Sequence, residues 1–195
     1  MDICIPLFRV DEKAANRALV AGHMVPASTE DGDWAGAGLY FWDNLGNAQF
    51  WLRSKRGTKS SYSIAKATLT VSEMEVLDLT EPNSVKKFER VVVLLRDKLG
   101  TDFEGVYSIH QGAVINAVYQ IRQSIANEAI IQQLPNFSVV KVIGYYPNAP
   151  ELFSFRSTIG KKKQPHVTIK AKPIYSVLDQ QLLQSPMIIE GDGLL

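Results

Sequence analysis

GAGLYFWDN, residues 36–44, sets two glycines one residue apart directly before a tyrosine, a phenylalanine and a tryptophan. Glycine serves where the backbone must turn sharply or where something must approach it closely. The run GLYFW has the branched and aromatic composition of a strand. On one reading the stretch is a tight turn leading into a strand of the core. On the other, a flat ligand lies against the backbone at Gly36 and Gly38 and is covered by Tyr40. The flanking segments decide which reading the chain supports.

Upstream, ICIPLFRV (3–10) is a short strand that carries Arg9 near its C-terminal end. Asp11 is the expected N-cap of a helix over AANRALVAG, which stops at Gly22. HMVPASTEDGD (23–33) has loop composition, and Trp34 behind it is the lid candidate. Downstream, DNLGNAQFWLRSK is a helix capped by Asp43 or Asn44, with Ala48, Trp51 and Leu52 on one face.

Further on, SYSIAKATLTV alternates apolar and polar residues as a half-buried strand does, and MEVLDLT is a second short strand. The period then changes: Val85, Phe88, Val91, Val92 and Leu95 recur at helical spacing, with Pro82 in the first turn, so 82–99 is the longest helix. Residues 112–134 form a helix in two pieces, and SVVKVIGYY (138–146) is a strand. HVTIKAKPIYSVL (166–178) alternates as a strand interrupted at Pro173, which suits an edge strand or two successive strands. This element order lacks regular βα alternation and reads as α+β, with antiparallel strands and helices outside.

The 195-residue length fits one domain, 1–178, with a C-terminal tail, 179–195. Lysine and arginine total 21 against 20 acidic residues, which removes any global electrostatic case for nucleic acid. A single cysteine, Cys4, and no metal-ligand spacing of histidine or cysteine argue against disulfides and against a zinc site. The start MDICIPLF has no signal-peptide charge pattern and no stretch has the length of a membrane span, so a cytoplasmic protein is expected.

An arginine-bearing first strand, a helix ending in glycine, a polar loop and G-x-G-x-Y-F-W before a helix together resemble the N-terminal half of the ADP-ribosyltransferase fold. The likeness is to the poly(ADP-ribose) polymerase and diphtheria-toxin branch, and within it to bacterial toxin-antitoxin and anti-phage members whose motif reads G-x-G-x-Y-F-W-[ED]-N. Gly36, Gly38, Tyr40, Phe41, Trp42, Asp43 and Asn44 carry that motif, with Ala48 and Trp51 downstream, VLDLT at 76–80 and KQPHVTIK at 163–170.

The resemblance implies split antiparallel sheets with flanking helices and an NAD-dependent transferase using NAD as co-substrate. It also implies a macromolecular acceptor, whether protein, RNA or DNA, and a neutralising antitoxin or chaperone. Tyr40 would stack on nicotinamide, Gly36 and Gly38 would offer backbone groups to the carboxamide, and Trp42 would complete the wall. Arg9 stands near the first-strand histidine of the polymerases and would hold NAD phosphate or ribose. The third catalytic group is Glu151, with Asn148 near it, or His166 at the start of the C-terminal strand. Lys161, Lys162 and Lys163 would meet phosphate if the acceptor is nucleic acid. The alternative is a catalytically degenerate relative that binds NAD or a partner protein without transfer, motivated by the missing histidine. An α+β interaction protein would bind no NAD at all.

Overall fold

The computed structural model describes residues 1–27, 32–55, 61–99, 111–124, 132, 134–146 and 170–190. β1 (Asp2–Glu12) runs antiparallel to β3 (Tyr62–Ser72) in unbroken register from Asp2↔Ser72 to Glu12↔Tyr62. β2 (Leu39–Trp42) pairs with β6 (Ala171–Val177), and β6 pairs with β5 (Val139–Tyr145). β4 (Val76–Asp78) flanks β5, and β7 (Leu183–Glu190) flanks β3, giving the order β4-β5-β6-β2-β1-β3-β7.

β1 and β2, at the centre, share one registered pair, Phe8↔Trp42. The split antiparallel sheets expected from the sequence are therefore a single seven-stranded sheet that nearly parts there. One pair is also not antiparallel: β4 and β5 run the same way. The chain between them crosses over through α4 (Pro82–Leu99) and α5 (Gln111–Ser124), as a parallel pair requires. The class is α+β.

Alternation along the strands sorts the core onto two faces. Leu7, Leu39, Phe41, Ala67, Leu69, Val139 and Val177 pack on one face with α1 (Lys13–Val20), through Leu19. Trp42, Ile64, Val140, Val142 and Ile174 pack on the other with α3 (Leu45–Ser54), α4 and α5, through Ala48, Phe88, Leu95, Ile115 and Val118. A four-residue helix, α2 (Gly32–Ala35), leads into the glycine turn.

The helix read at 82–99 has those bounds, opening on Pro82, with the Glu81 carboxylate accepting from the Asn83 and Ser84 N–H groups at 2.9 and 2.6 Å. α3 is capped by Asn44, whose side chain accepts from the Asn47 N–H at 2.8 Å. Asp11 does not cap α1, because β1 continues through it; its carboxylate instead takes the Arg9 guanidinium and the Glu12 N–H. Gly22, with φ of 78°, follows the end of α1 as the expected stop.

Pro173 does not sit on an edge strand, yet pairing with β2 ends at Trp42↔Ile174, so the proline lies just past it. Residues 183–190, read as tail, form β7 against β3. Of the segments read as helix to 134 and as strand from 166, residues 125–131, 133 and 166–169 lie outside the described residues.

Asp78 links β4 to β5, accepting from Lys141 Nζ at 2.7 Å and from the Thr80 N–H at 2.9 Å. Burial pushes its carboxyl upward, but the bonds from Lys141 and Thr80 outweigh that and hold it below its ordinary value. A carboxylate held low in the folded state stabilises above its unfolded pKa and loses that contribution as pH falls through its folded value. Wild type should thus lose up to about 1 kcal/mol more than Asp78→Asn between neutral pH and the region below pH ~4. Urea titrations at several pH values measure this difference.

Candidate functional site

The glycine turn is built by the chain's own packing. Gly36 has φ of 79°, a conformation that L side chains rarely adopt. Its carbonyl accepts from the Tyr40 hydroxyl at 2.8 Å, and that hydroxyl accepts from the Ala35 N–H at 3.0 Å. From α5, Asn116 Oδ1 accepts from the Ala37 N–H at 2.6 Å. The space a Cβ would take at Gly36 is filled by Asn116 Oδ1, at 2.7 Å, and by Ile115. At Gly38 that space is taken by the Ser176 hydroxyl and the Val177 carbonyl, the latter 3.0 Å away. Both glycines are accordingly demanded by close approach of α5 and β6, and that demand is met without a ligand.

The ligand reading is carried by the rings that follow. With its hydroxyl tied to the turn, the Tyr40 side chain lies on the face that carries α3–α5 and lines a cavity with Val10, Trp34, Phe41, Trp42, Trp51, Tyr146 and Ile174. The cavity measures about 60 Å³. Tyr146 is ringed by Trp34, Trp42, Phe50 and Trp51, with centroids 6.1, 5.8, 5.7 and 6.3 Å away. Trp42 and Trp51 are themselves 5.9 Å apart.

Tyr40 and Trp42, both named from the sequence, line the same cavity, and so does Trp34, which is 45% exposed. Arg9 is not among them. Phe8 pairs with Trp42 and shares its face, so the next residue, Arg9, points to the opposite face with Leu7. There it is buried and ion-paired to Asp11. The β1 residue that reaches the pocket is Val10. Gly36 and Gly38 support the wall without lining it. Glu151, His166, Asn148 and Lys161–Lys163 lie outside the described residues.

Sequence reasoning missed Tyr146, Ile174 and Lys172. Ile174 could have been found from the alternation of KPIYSV, which puts residues 172, 174 and 176 on one face. Lys172 is buried beside the pocket: its Nζ lies 4.6 Å from the Phe50 ring centre and donates to Asn47 Oδ1 at 2.9 Å. Asn47 Nδ2 in turn donates to Asp43 at 2.7 Å, so a relay ties β6 to the start of α3. Burial lowers the Lys172 ammonium from its ordinary value, and the Asp43 charge offsets part of that.

Among the described residues that line the cavity, none carries a charge at neutral pH. Such a lining suits a flat ring held by stacking, and the electron-rich tryptophan faces add attraction for a ring bearing positive charge. The nicotinamide ring of NAD is both flat and positively charged, so the residue types fit it. The chain matches no family model, no curated protein and no solved structure. Among the described residues no three His, Cys, Asp or Glu side chains gather as a metal site, and no helix is long and apolar enough to cross a membrane.

Proposed function

We propose that the chain is an ADP-ribosyltransferase-like protein that takes NAD as co-substrate and passes ADP-ribose to a macromolecular acceptor, protein or nucleic acid, as a toxin-like effector. The observation that carries this reading is the aromatic pocket built on the glycine turn, lined by Tyr40 and Trp42 and by Trp51 from the following helix, whose ring lies 5.9 Å from that of Trp42. The sheet that nearly parts between β1 and β2, next to the pocket, is in keeping with it. Cleavage between nicotinamide and ribose passes through an oxocarbenium-like state, so the protein must hold the ring and stabilise charge near the sugar. Tyr40, Trp42 and Trp51 would do the first. Glu151 or His166 would do the second.

A specific observation favours a second reading, a protein that binds NAD without transfer. Apart from those of β2, the strand residues that line the pocket are Val10 from β1 and Ile174 from β6, and neither side chain can bond a ribose hydroxyl. Incubation with labelled NAD and lysate, beside calorimetry with NAD, separates the two. Labelling of an acceptor that Glu151→Gln or His166→Ala reduces by about 100-fold or more is the result expected of a transferase. NAD binding with no transfer and no hydrolysis selects the second reading, and absence of NAD binding contradicts both. For a toxin-like effector, expression should also require a co-expressed neutralising protein.

A further inference from the structure

The geometry points to Tyr146 as an intrachain plug whose ring holds the aromatic box that a ligand ring needs, so that the pocket stays closed until Tyr146 leaves it. This rests on reading the pocket as a ring-binding site and adds the regulation of that site. Volume is the first argument. The cavity left beside Tyr146 is about 60 Å³, whereas an apolar cavity of roughly 150 Å³ is what accommodates a benzene ring. A ring that enters must displace one already there.

Position is the second argument. Tyr146 contacts four of the surrounding rings, Trp34, Trp42, Phe50 and Trp51, in tilted or edge-on geometry, the arrangement a bound aromatic ligand would adopt. It is half-buried, not part of the sealed interior, and follows the last registered pair of β5, Tyr145↔Ala171. Its own N–H bonds the Lys170 carbonyl at 2.8 Å, which fixes the backbone beneath the ring. Room for the ring is made by Gly144: a Cβ there would lie 2.8 Å from Tyr146 Cε2 and 2.9 Å from Ile174 Cδ1. Of the four rings around Tyr146, Trp34 is the exposed one.

Because only the open form binds, apparent affinity is reduced by the fraction of molecules that are open. Two variants open the box by different routes. Tyr146→Ala removes the ring, and Gly144→Ala keeps it but crowds it from behind, so the test survives if either variant fails to fold. Calorimetry with full-length protein uses two probes, indole for the empty box and NAD for the proposed substrate. Indole should bind Tyr146→Ala and Gly144→Ala about 10-fold or more tighter than wild type. Equal or weaker indole binding by the opened variants overturns the plug and makes Tyr146 a fixed wall. If indole binding rises in both variants while NAD binds none of the proteins, the plug stands and the NAD reading falls. If NAD also tightens, by about 10- to 100-fold, the plug regulates the NAD site itself.

Discussion

Tyr40→Ala is expected to weaken NAD binding at least about 10-fold while Tyr40→Phe retains it. The alanine variant loses both the ring in the pocket wall and the hydroxyl that bridges the Ala35 N–H and the Gly36 carbonyl. The phenylalanine variant keeps the ring and loses the bridge. Stacking against a flat ligand is a property of the ring, so affinity should fall at least about 10-fold in Tyr40→Ala and by less than about threefold in Tyr40→Phe. Stability should respond differently. Loss of the two turn bonds in Tyr40→Phe costs roughly 1–3 kcal/mol, and Tyr40→Ala costs more, because the half-buried ring leaves a void. Calorimetry with NAD beside urea unfolding of the same samples separates the two roles. Equal loss of NAD affinity in both variants would place the binding in the hydroxyl and contradict the stacking role.

Gly38→Ala should be the most damaging single-methyl change in the turn. Its Cβ would be driven into the Ser176 hydroxyl and would stand 3.0 Å from the Val177 carbonyl, which belongs to the backbone of β6 and cannot rotate away. The penalty expected is about 3 kcal/mol. Pairing it with Ser176→Gly should recover part of the loss, since the hydroxyl is removed but the Val177 carbonyl stays. Gly36→Ala is strained for a different reason, a φ of 79° together with an Asn116 side chain 2.7 Å from the new methyl group. Shifts in the urea midpoint for the three variants provide the comparison. A Gly38→Ala protein as stable as wild type would show that β6 does not pack against the turn.

The elements with a strong local signal were legible in the sequence. Helix 82–99 announces itself through Phe88, Val92 and Leu95 on one stripe, and LYFW through its aromatic run between a glycine turn and a capping asparagine. What could not be read was which way a side chain faces. Arg9 and Val10 are adjacent in one strand, and a single step of register across β1 and β2 decides which of them meets Tyr40. That register is set by Phe8↔Trp42, a contact between residues far apart in sequence. The glycines show the same limit, because sequence reveals that a Cβ is absent but not whether Asn116, Ser176 or a ligand fills the space.

β7 was hidden by its irregularity. Register shifts against β3 between Ile64 and Ala65 and between Lys66 and Thr68, with Ser185 at a φ of 47° before Pro186, erase the alternation that marks a strand. In the doublet Tyr145-Tyr146, composition treats the two rings alike. Tyr145 is exposed at the end of β5, and its neighbour turns into the aromatic box.

The most direct test of the ring-binding pocket is a crystal structure of the protein with NAD. The nicotinamide ring is expected between Tyr40 and Trp51, with the Tyr146 ring displaced toward the Trp34 side. Nicotinamide bound on the opposite face of the sheet, beside Arg9, or an aromatic box still filled by Tyr146 in crystals saturated with NAD, would contradict it.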